Sequence, residues 1–491
     1  VNTIFYQALI HAFKDSNGDG VGDIPGLISK LDYLQWLGVD CVWVPPFYAS
    51  PMRDDGYDIA DYYAINPAYG TMEDVEQLIA ELHSRGMKIM TDLALNHTSV
   101  DHPWFQASRQ DPQGPYGDFY VWGDDPQRYP EIRVIFTDTE DSNWAFDETR
   151  GQYYFHRFYS HQPDLNYDNP AVQEEILSVV RFWLSKGVDV LRLDAVPYLF
   201  ERDGQGGESL PETFAFIRRI RALVDAEFPG AKLLAEANQP ADKTTKYFDA
   251  GMHMCFNFPL MPKLYEALAT SSATPVYEVM DELGDIPVGA WANFLRNHDE
   301  LTLEMVTPAE RQLMYETYLP DQQSKAHTGI ARRLMPLMGG DRRKVELLFA
   351  LLLALPGQPF IYYGDEIGME DLPELPDRYA VRTPMLWEDG PGHGFSDAPS
   401  PHLPFASGHS VAAQQEDPTS LLNTVRGLIT QRRQHPDLAT ASYEAVEAGV
   451  DEVLAFQRGG LLCLFNFSEE TIDLGPVELG PFGYAWVPVE S

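Results

Sequence analysis

The chain predicts an α/β fold: a closed (β/α)8 barrel of the TIM type, with an inserted domain after strand 3 and a small C-terminal antiparallel β-domain. Two observations predict it. Apolar strand-like runs alternate with amphipathic helical stretches through most of the 491 residues, and eight strand-like runs emerge, the number at which a parallel barrel closes. Four segments also end a buried-type run abruptly in carboxylates or histidines: Asp92–His97, Leu191–Ala195, Leu233–Asn238 and Phe294–Asp299. Buried strands of a parallel barrel look like this, and their C-terminal ends carry the barrel's active site.

The elements follow in order. Ile4–Ile10 is the first strand-like run, Leu27–Leu37 has apolar residues at helical spacing, and Cys41–Val44 is a strand ended by Pro45-Pro46. A helix over Met72–Ser84 and a strand over Lys88–Leu95 come next. The rhythm then breaks from His97 to Asp164, a Pro-, Asp-, Tyr- and Trp-rich stretch too long for a simple loop, which predicts an inserted domain over 98–164. Alternation resumes with helix Ala171–Ser185, strand Val188–Leu193, helix Pro211–Glu227, and strands Lys232–Ala235, Met252–Phe258 and Trp291–Arg296. A helical insertion is expected over 300–350, then strand Pro359–Tyr363 and an outer helix Leu421–Arg433. The barrel therefore spans 1–97 and 165–437, and short Gly- and Pro-punctuated β-runs over 438–491 predict the C-terminal β-domain.

Composition narrows the function. With 35 Lys and Arg against 74 Asp and Glu, the net charge is −39. Such a field repels phosphate-rich partners, which excludes nucleic acid and anionic membrane as expected ligands. Cys41, Cys255 and Cys463 are widely spaced in apolar runs, with neither disulfide nor zinc spacing, so a reducing, cytoplasmic setting is expected. The longest apolar stretch, Leu347–Leu355, is far too short for a bilayer. The expected partner is a small sugar, and a homo-oligomer is left open.

The strand-ending acids supply the chemistry. A retaining glycosidase needs an ionised carboxylate as nucleophile and a protonated one as acid, about 5–5.5 Å apart. Arg192 shares a strand face with Asp194, two residues on, and can hold that carboxylate ionised. Glu236 closes an apolar strand, where desolvation raises a carboxyl pKa towards that of an acid/base. Asp299, beside His298, is then available for sugar hydroxyls.

These four segments resemble the signature regions of the α-amylase superfamily, glycoside hydrolase family thirteen, and the resemblance runs from residue 4 to about 435. It implies Asp194 as nucleophile, Glu236 as acid/base and Asp299 as transition-state stabiliser. It places Arg192, His97 and His298 around the glucose at subsite −1, Tyr57 as a stacking ring and Asp92 as a structural carboxylate. It also implies an Asp54–Arg382 pair that grips the 4-hydroxyl of a terminal glucose and closes the pocket at one end.

Asp15, Asn17, Asp19 and Asp23 stand at positions 1, 3, 5 and 9 of a loop that offers the Val21 carbonyl at position 7, which is the front half of an EF-hand. Position 12 is Gly26, so the bidentate glutamate is missing, but a hard cation, Ca2+ or Mg2+, is still expected. Asn96, Asp164 and Glu201, with the carbonyls of Tyr198 and Leu199, resemble the family's calcium site between barrel and inserted domain.

Around the motifs the sequence is most similar to family members that interconvert maltose and trehalose. That similarity implies intramolecular glucosyl transfer with minor hydrolysis, the alternatives being an exo-acting α-glucosidase or a sucrose isomerase. Tyr198, Asn238, Glu300 and Glu304 are the expected aglycone-side or gate contacts. Non-catalytic relatives typically lack the acids and carry a membrane span; this chain has all three acids.

Overall fold

The computed structural model describes residues 2–285, 287–319 and 321–489. Strands β1 (Phe5–Gln7), β2 (Cys41–Val44), β3 (Lys88–Ala94), β4 (Val190–Asp194), β5 (Lys232–Ala235), β6 (Met254–Phe256), β7 (Trp291–Phe294) and β8 (Gln358–Tyr362) close a parallel barrel in sequence order, β8 pairing with β1. Aromatic rings fill its interior: Phe5 stacks on Phe360 at 4.2 Å, and Phe256 packs against Trp43, Phe294 and Phe360. Register then places the chemistry. Asp92 lies opposite Arg192, Ala94 opposite Asp194, and Ala235 opposite Leu193, so Glu236 follows onto the same rim as Asp194.

The outer helices form where capping and apolar spacing coincide. Met72–Ser84 opens with a capping box between Thr71 and Asp74 and buries Val75, Leu78, Ile79 and Leu82 on one stripe. Pro170–Ser185 starts with Pro at its first position, and the Asn169 side chain accepts from the Ala171 amide at 2.9 Å.

Three expected boundaries are corrected. The first run ends as a strand at Gln7, and Ile10–Phe13 turns into a short helix as the chain leaves the barrel. Leu27–Leu37 is two helices, Ile24–Ser29 and Leu31–Leu37. Lys30 ends the first one by donating back to Leu27 and Ile28, a tightened last turn. The insertion after β7 contains helix Pro308–Tyr318 and a small hairpin pairing Lys325–Ala326 with Gly329–Ile330, but the 300–350 range cuts through Arg342–Ala354. That helix buries Val345 and every residue from Leu347 to Ala354 and packs on Leu421–Gln434, so it belongs to the barrel's own ring.

Between β3 and β4 lie helix Pro103–Gln110 and a three-stranded antiparallel sheet of Trp122–Gly123, Gln152–Phe155 and Trp144–Asp147. Phe105, Tyr120, Trp122 and Tyr154 pack into its aromatic core. At the other end, β9 (Glu444–Val446), β10 (Val453–Arg458), β11 (Leu461–Asn466) and β12 (Tyr484–Pro488) make a four-stranded antiparallel sheet. Arg458, fully buried, fastens it to the barrel. Its guanidinium donates to the carbonyls of Ala354 (2.6 Å), Leu438 (2.9 Å) and Ala441 (3.1 Å), and Ala354 is the last residue of its helix. Cys41, Cys255 and Cys463 are free and buried. Among the described residues no helix is long and apolar enough to cross a membrane.

Candidate active site

At the C-terminal rim one guanidinium organises three carboxylates. Arg192, buried, places Nη1 2.9 Å from Asp194 Oδ1 and 3.2 Å from Asp92 Oδ2, and Nη2 3.3 Å from Glu236 Oε2. Asp92 is held from below by the Trp43 indole at 2.9 Å and from the side by the Tyr57 hydroxyl. Immediately after Asp194, Ala195 takes a left-handed φ of 52°, and its amide donates to Glu236 Oε2 at 2.9 Å. The turn that a β-branched residue would resist thus couples the two acids through the backbone.

Burial and charge separate these carboxyls. Burial pushes Asp194 up to about 6 against the opposing pull of Arg192. Burial raises Glu236 well above the ordinary carboxylate range, and the neighbouring Asp194 charge adds to that. Burial also works against ionisation of Asp299, but the Arg378 and Arg382 guanidiniums oppose it and that carboxyl is held low. Asp194 therefore loses its proton before Glu236, and Asp299 before either.

Tyr57 and His298 stack in parallel at 5.3 Å, and Gln7 holds His298 Nδ1 at 2.7 Å. Burial pushes both His298 and His97 down to about 3, so both rings are neutral. The cavity these residues enclose, about 110 Å³, has Asp54, Tyr57, His97, Asp194, Glu236 and Asp299 in its wall.

The expected Asp54–Arg382 pair is corrected. Arg378 Nη2 lies 3.2 Å from Asp54 Oδ1 and its Nη1 2.7 Å from Asp299 Oδ1, and Arg378 lines the cavity. Gln162 donates to the other Asp54 oxygen at 2.7 Å. Arg382 instead binds Asp55 at 2.6 Å, donates to the His298 carbonyl at 2.8 Å, and reaches Asp299 only at 3.4 Å. Both arginines leave the same loop after β8; its path sends the first into the cavity and the second behind it.

Tyr198, Asn238, Glu300 and Glu304 all line the cavity. Asn238 Nδ2 lies 3.3 Å from both Thr302 Oγ1 and Glu304 Oε2, and Arg133 reaches Glu304 at 3.5 Å. Sequence reasoning missed Arg378, Gln162, Arg133 and the apolar wall of Ile135, Phe136 and Phe158. All but Arg378 come from the inserted domain, which offers no periodicity to read. For Arg378, the dipeptide Asp377-Arg378 four residues before Arg382 was the available signal.

The two expected cation sites differ in their donors. In the 15–23 loop the side-chain oxygens accept from the loop's own amides: Asp15 from Asn17, Gly18 and Gly20, Asn17 from Asp19, Asp19 from Val21, and Asp23 from Ser16. A Cβ at Gly26 would collide with the Lys14 carbonyl, so the EF-hand glutamate is sterically excluded there. At the other place Asn96 Oδ1, Asp164 Oδ2 and Glu201 Oε1 are buried and lack hydrogen-bond partners. Burial pushes Asp164 up to about 8, and raises Glu201 well above its usual range with Asp164 adding to it. Orphaned buried oxygens with no donors to meet them fit a hard cation. Among the described residues no group of three or more His, Cys, Asp or Glu converges.

The comparisons agree with this geometry. The family description "Alpha amylase, catalytic domain" matches residues 7–319 and 311–441. Trehalose synthase/amylase TreS of Mycobacterium tuberculosis (strain ATCC 25618 / H37Rv) is 51% identical, covering 95% of this chain and 82% of that protein. The trehalose synthase of Pimelobacter sp. (strain R48) is 48% identical, covering 99% and 90%. A solved trehalulose synthase, MUTB, superposes with a TM-score of 0.82 at 28% identity, covering 99% of each chain. With three acids on one barrel rim and matches of this extent, the chain belongs to the α-amylase family.

Proposed function

We propose that this chain is an isomerase that interconverts maltose and trehalose by retaining intramolecular glucosyl transfer, with minor hydrolysis to glucose. The observation that carries the reading is the single Arg192 guanidinium that spans Asp194 and Glu236 in a pocket whose far end is closed by Asp54 and Arg378. Relatives about half identical over nearly the whole chain support the choice of reaction.

In this mechanism Asp194, ionised first, attacks C1 of the non-reducing glucose of maltose. Glu236, still protonated, gives its proton to the leaving glycosidic oxygen. Asp299, held ionised by Arg378 and Arg382, binds ring hydroxyls as the glucosyl ring flattens. The freed glucose turns over within the closed pocket and presents its anomeric hydroxyl. Glu236, now a base, takes that proton, and the second inversion at C1 gives an α,α-1,1 bond with overall retention. Water that reaches the glucosyl-enzyme yields free glucose, so exclusion of solvent decides the product.

Asn96, Asp164 and Glu201 with the Tyr198 and Leu199 carbonyls would hold Ca2+, joining the inserted domain to the barrel and neutralising two buried carboxyls. The 15–23 loop would take Ca2+ or Mg2+ on its remaining lone pairs. The buried free thiols suit a reducing, cytoplasmic setting.

Incubation with maltose alone tests the reading. Trehalose as the main product supports it; glucose without trehalose would make the chain an exo-acting α-glucosidase.

A further inference from the structure

Three loops from distant parts of the chain converge on one side chain. His327 stands at the turn of the hairpin between Lys325–Ala326 and Gly329–Ile330, in the insertion after β7. Its Nδ1 lies 2.7 Å from Asp138 Oδ1 in the inserted domain, and its backbone amide donates to Asp138 Oδ2 at 3.3 Å. Its ring stacks on Phe136 with centroids 4.1 Å apart and planes within 12°. Nε2 lies 3.7 Å from Asp377 Oδ1, in the loop after β8, and although buried has no hydrogen-bond partner. Asp377 in turn meets Arg378 at 3.2 Å and the Tyr159 hydroxyl at 3.3 Å.

Two features set this junction apart from ordinary loop packing. His327 and Asp377 both hold a left-handed φ of 53°, a conformation that non-glycine residues keep only where surrounding contacts enforce it. His327 is also absent from the cavity wall, while Phe136, on which its ring stacks, and Arg378, which it reaches through Asp377, are both part of it. Arg378 lies against the Phe136 ring at 5.8 Å, so displacing the ring also loosens the guanidinium that closes the pocket.

We propose that His327 is a positioning residue that latches the inserted domain onto the two barrel loops, holding Phe136 and Arg378 over the pocket so that the glucosyl-enzyme meets the retained sugar rather than water. The proposal rests on the isomerase reading above. The His327 side chain is 2% exposed and Asp138 46% exposed, so the latch is a buried ring fastened by a carboxylate at the outer rim. Without the ring, the Phe136 side chain has space to swing and the aromatic wall leaks.

The test compares wild type, His327→Ala and Asp138→Asn on maltose, with trehalose and glucose both quantified. The glucose-to-trehalose ratio is expected to rise at least fivefold in His327→Ala and by a smaller factor in Asp138→Asn. Asp138→Asn leaves the buried ring in place and carries the comparison if His327→Ala does not fold. An unchanged ratio with a loss of both products would make His327 merely structural and overturn the proposal. Failure of the isomerase reading looks different, because wild type itself would then make no trehalose. The latch would in that case be read on 4-nitrophenyl α-glucoside with added glucose as acceptor. The ratio of hydrolysis to glucosyl transfer should rise in both variants, and an unchanged ratio again overturns it.

Discussion

Arg378 Nη2 lies 3.2 Å from Asp54 Oδ1, across 324 residues of sequence, and the same guanidinium reaches Asp299 at 2.7 Å. Burial lifts Asp54 to about 7 even with Arg378 opposing it, so this carboxyl depends on its partner to stay charged. Arg378→Ala should therefore lower kcat/KM on maltose by about a hundredfold or more, the loss of one charge-assisted contact of about 3 kcal/mol. Arg382→Ala should instead cost stability, about 3 kcal/mol, because Asp55, its side chain only 12% exposed, is left with His11 at 3.4 Å. Steady-state kinetics and thermal melts of the two variants separate these outcomes; equal kinetic losses with unchanged melts would refute the distinction.

The rate should follow a bell-shaped pH profile. Asp194 must be ionised to attack, so kcat/KM falls as pH drops through about 6. Glu236 must be protonated to donate, so the rate falls again as pH rises through its elevated pKa. The two groups interact, so the limbs belong to the pair rather than to either acid. A profile with no acid limb near pH 6 would contradict this assignment.

Asp194→Ala should abolish turnover with the melting temperature retained. Glu236→Ala should lose maltose turnover but still release 4-nitrophenol from the aryl glucoside, whose leaving group needs no proton, and azide should restore its second step. Maltose turnover surviving in either variant would remove that residue from its role.

Chelation should destabilise the protein. An ion present at a hundred times its Kd contributes about 2.7 kcal/mol, and that stabilisation should return on adding Ca2+. Asp164→Asn should melt lower and show a smaller Ca2+ response, keeping only the part due to the 15–23 loop. A melt indifferent to chelator would leave the three orphaned oxygens without a cation.

Arg458→Met should lower stability by about 3 kcal/mol, since two buried carbonyls and one partly buried one lose their donor. The site is remote, so kcat should be unchanged. Unfolding monitored alongside activity checks both halves.

Much of this was legible in the sequence. Asp194, Glu236 and Asp299 sit where an apolar run stops, and that stop is written in consecutive residues. Asn238 and Glu304 also line the cavity because they follow those stops within a few residues. Phe136, Phe158 and His327 were not legible, since the segments that carry them have no period and their neighbours lie far away in sequence. The helix Arg342–Ala354 shows the same limit from the other side. Its apolar character was plain, but whether it belonged to an insertion or to the barrel's ring depended on its packing against Leu421–Gln434.

By itself the sequence determined the eight strands, the rim they build and the order of the acids upon it, because periodicity and strand ends are local properties of the chain. Only the tertiary structure decided which arginine answers Asp54, which oxygens are buried without donors, and what lies over the pocket. Those outcomes depend on how long loops are routed over the barrel, and a loop's route is set by contacts between residues hundreds of positions apart.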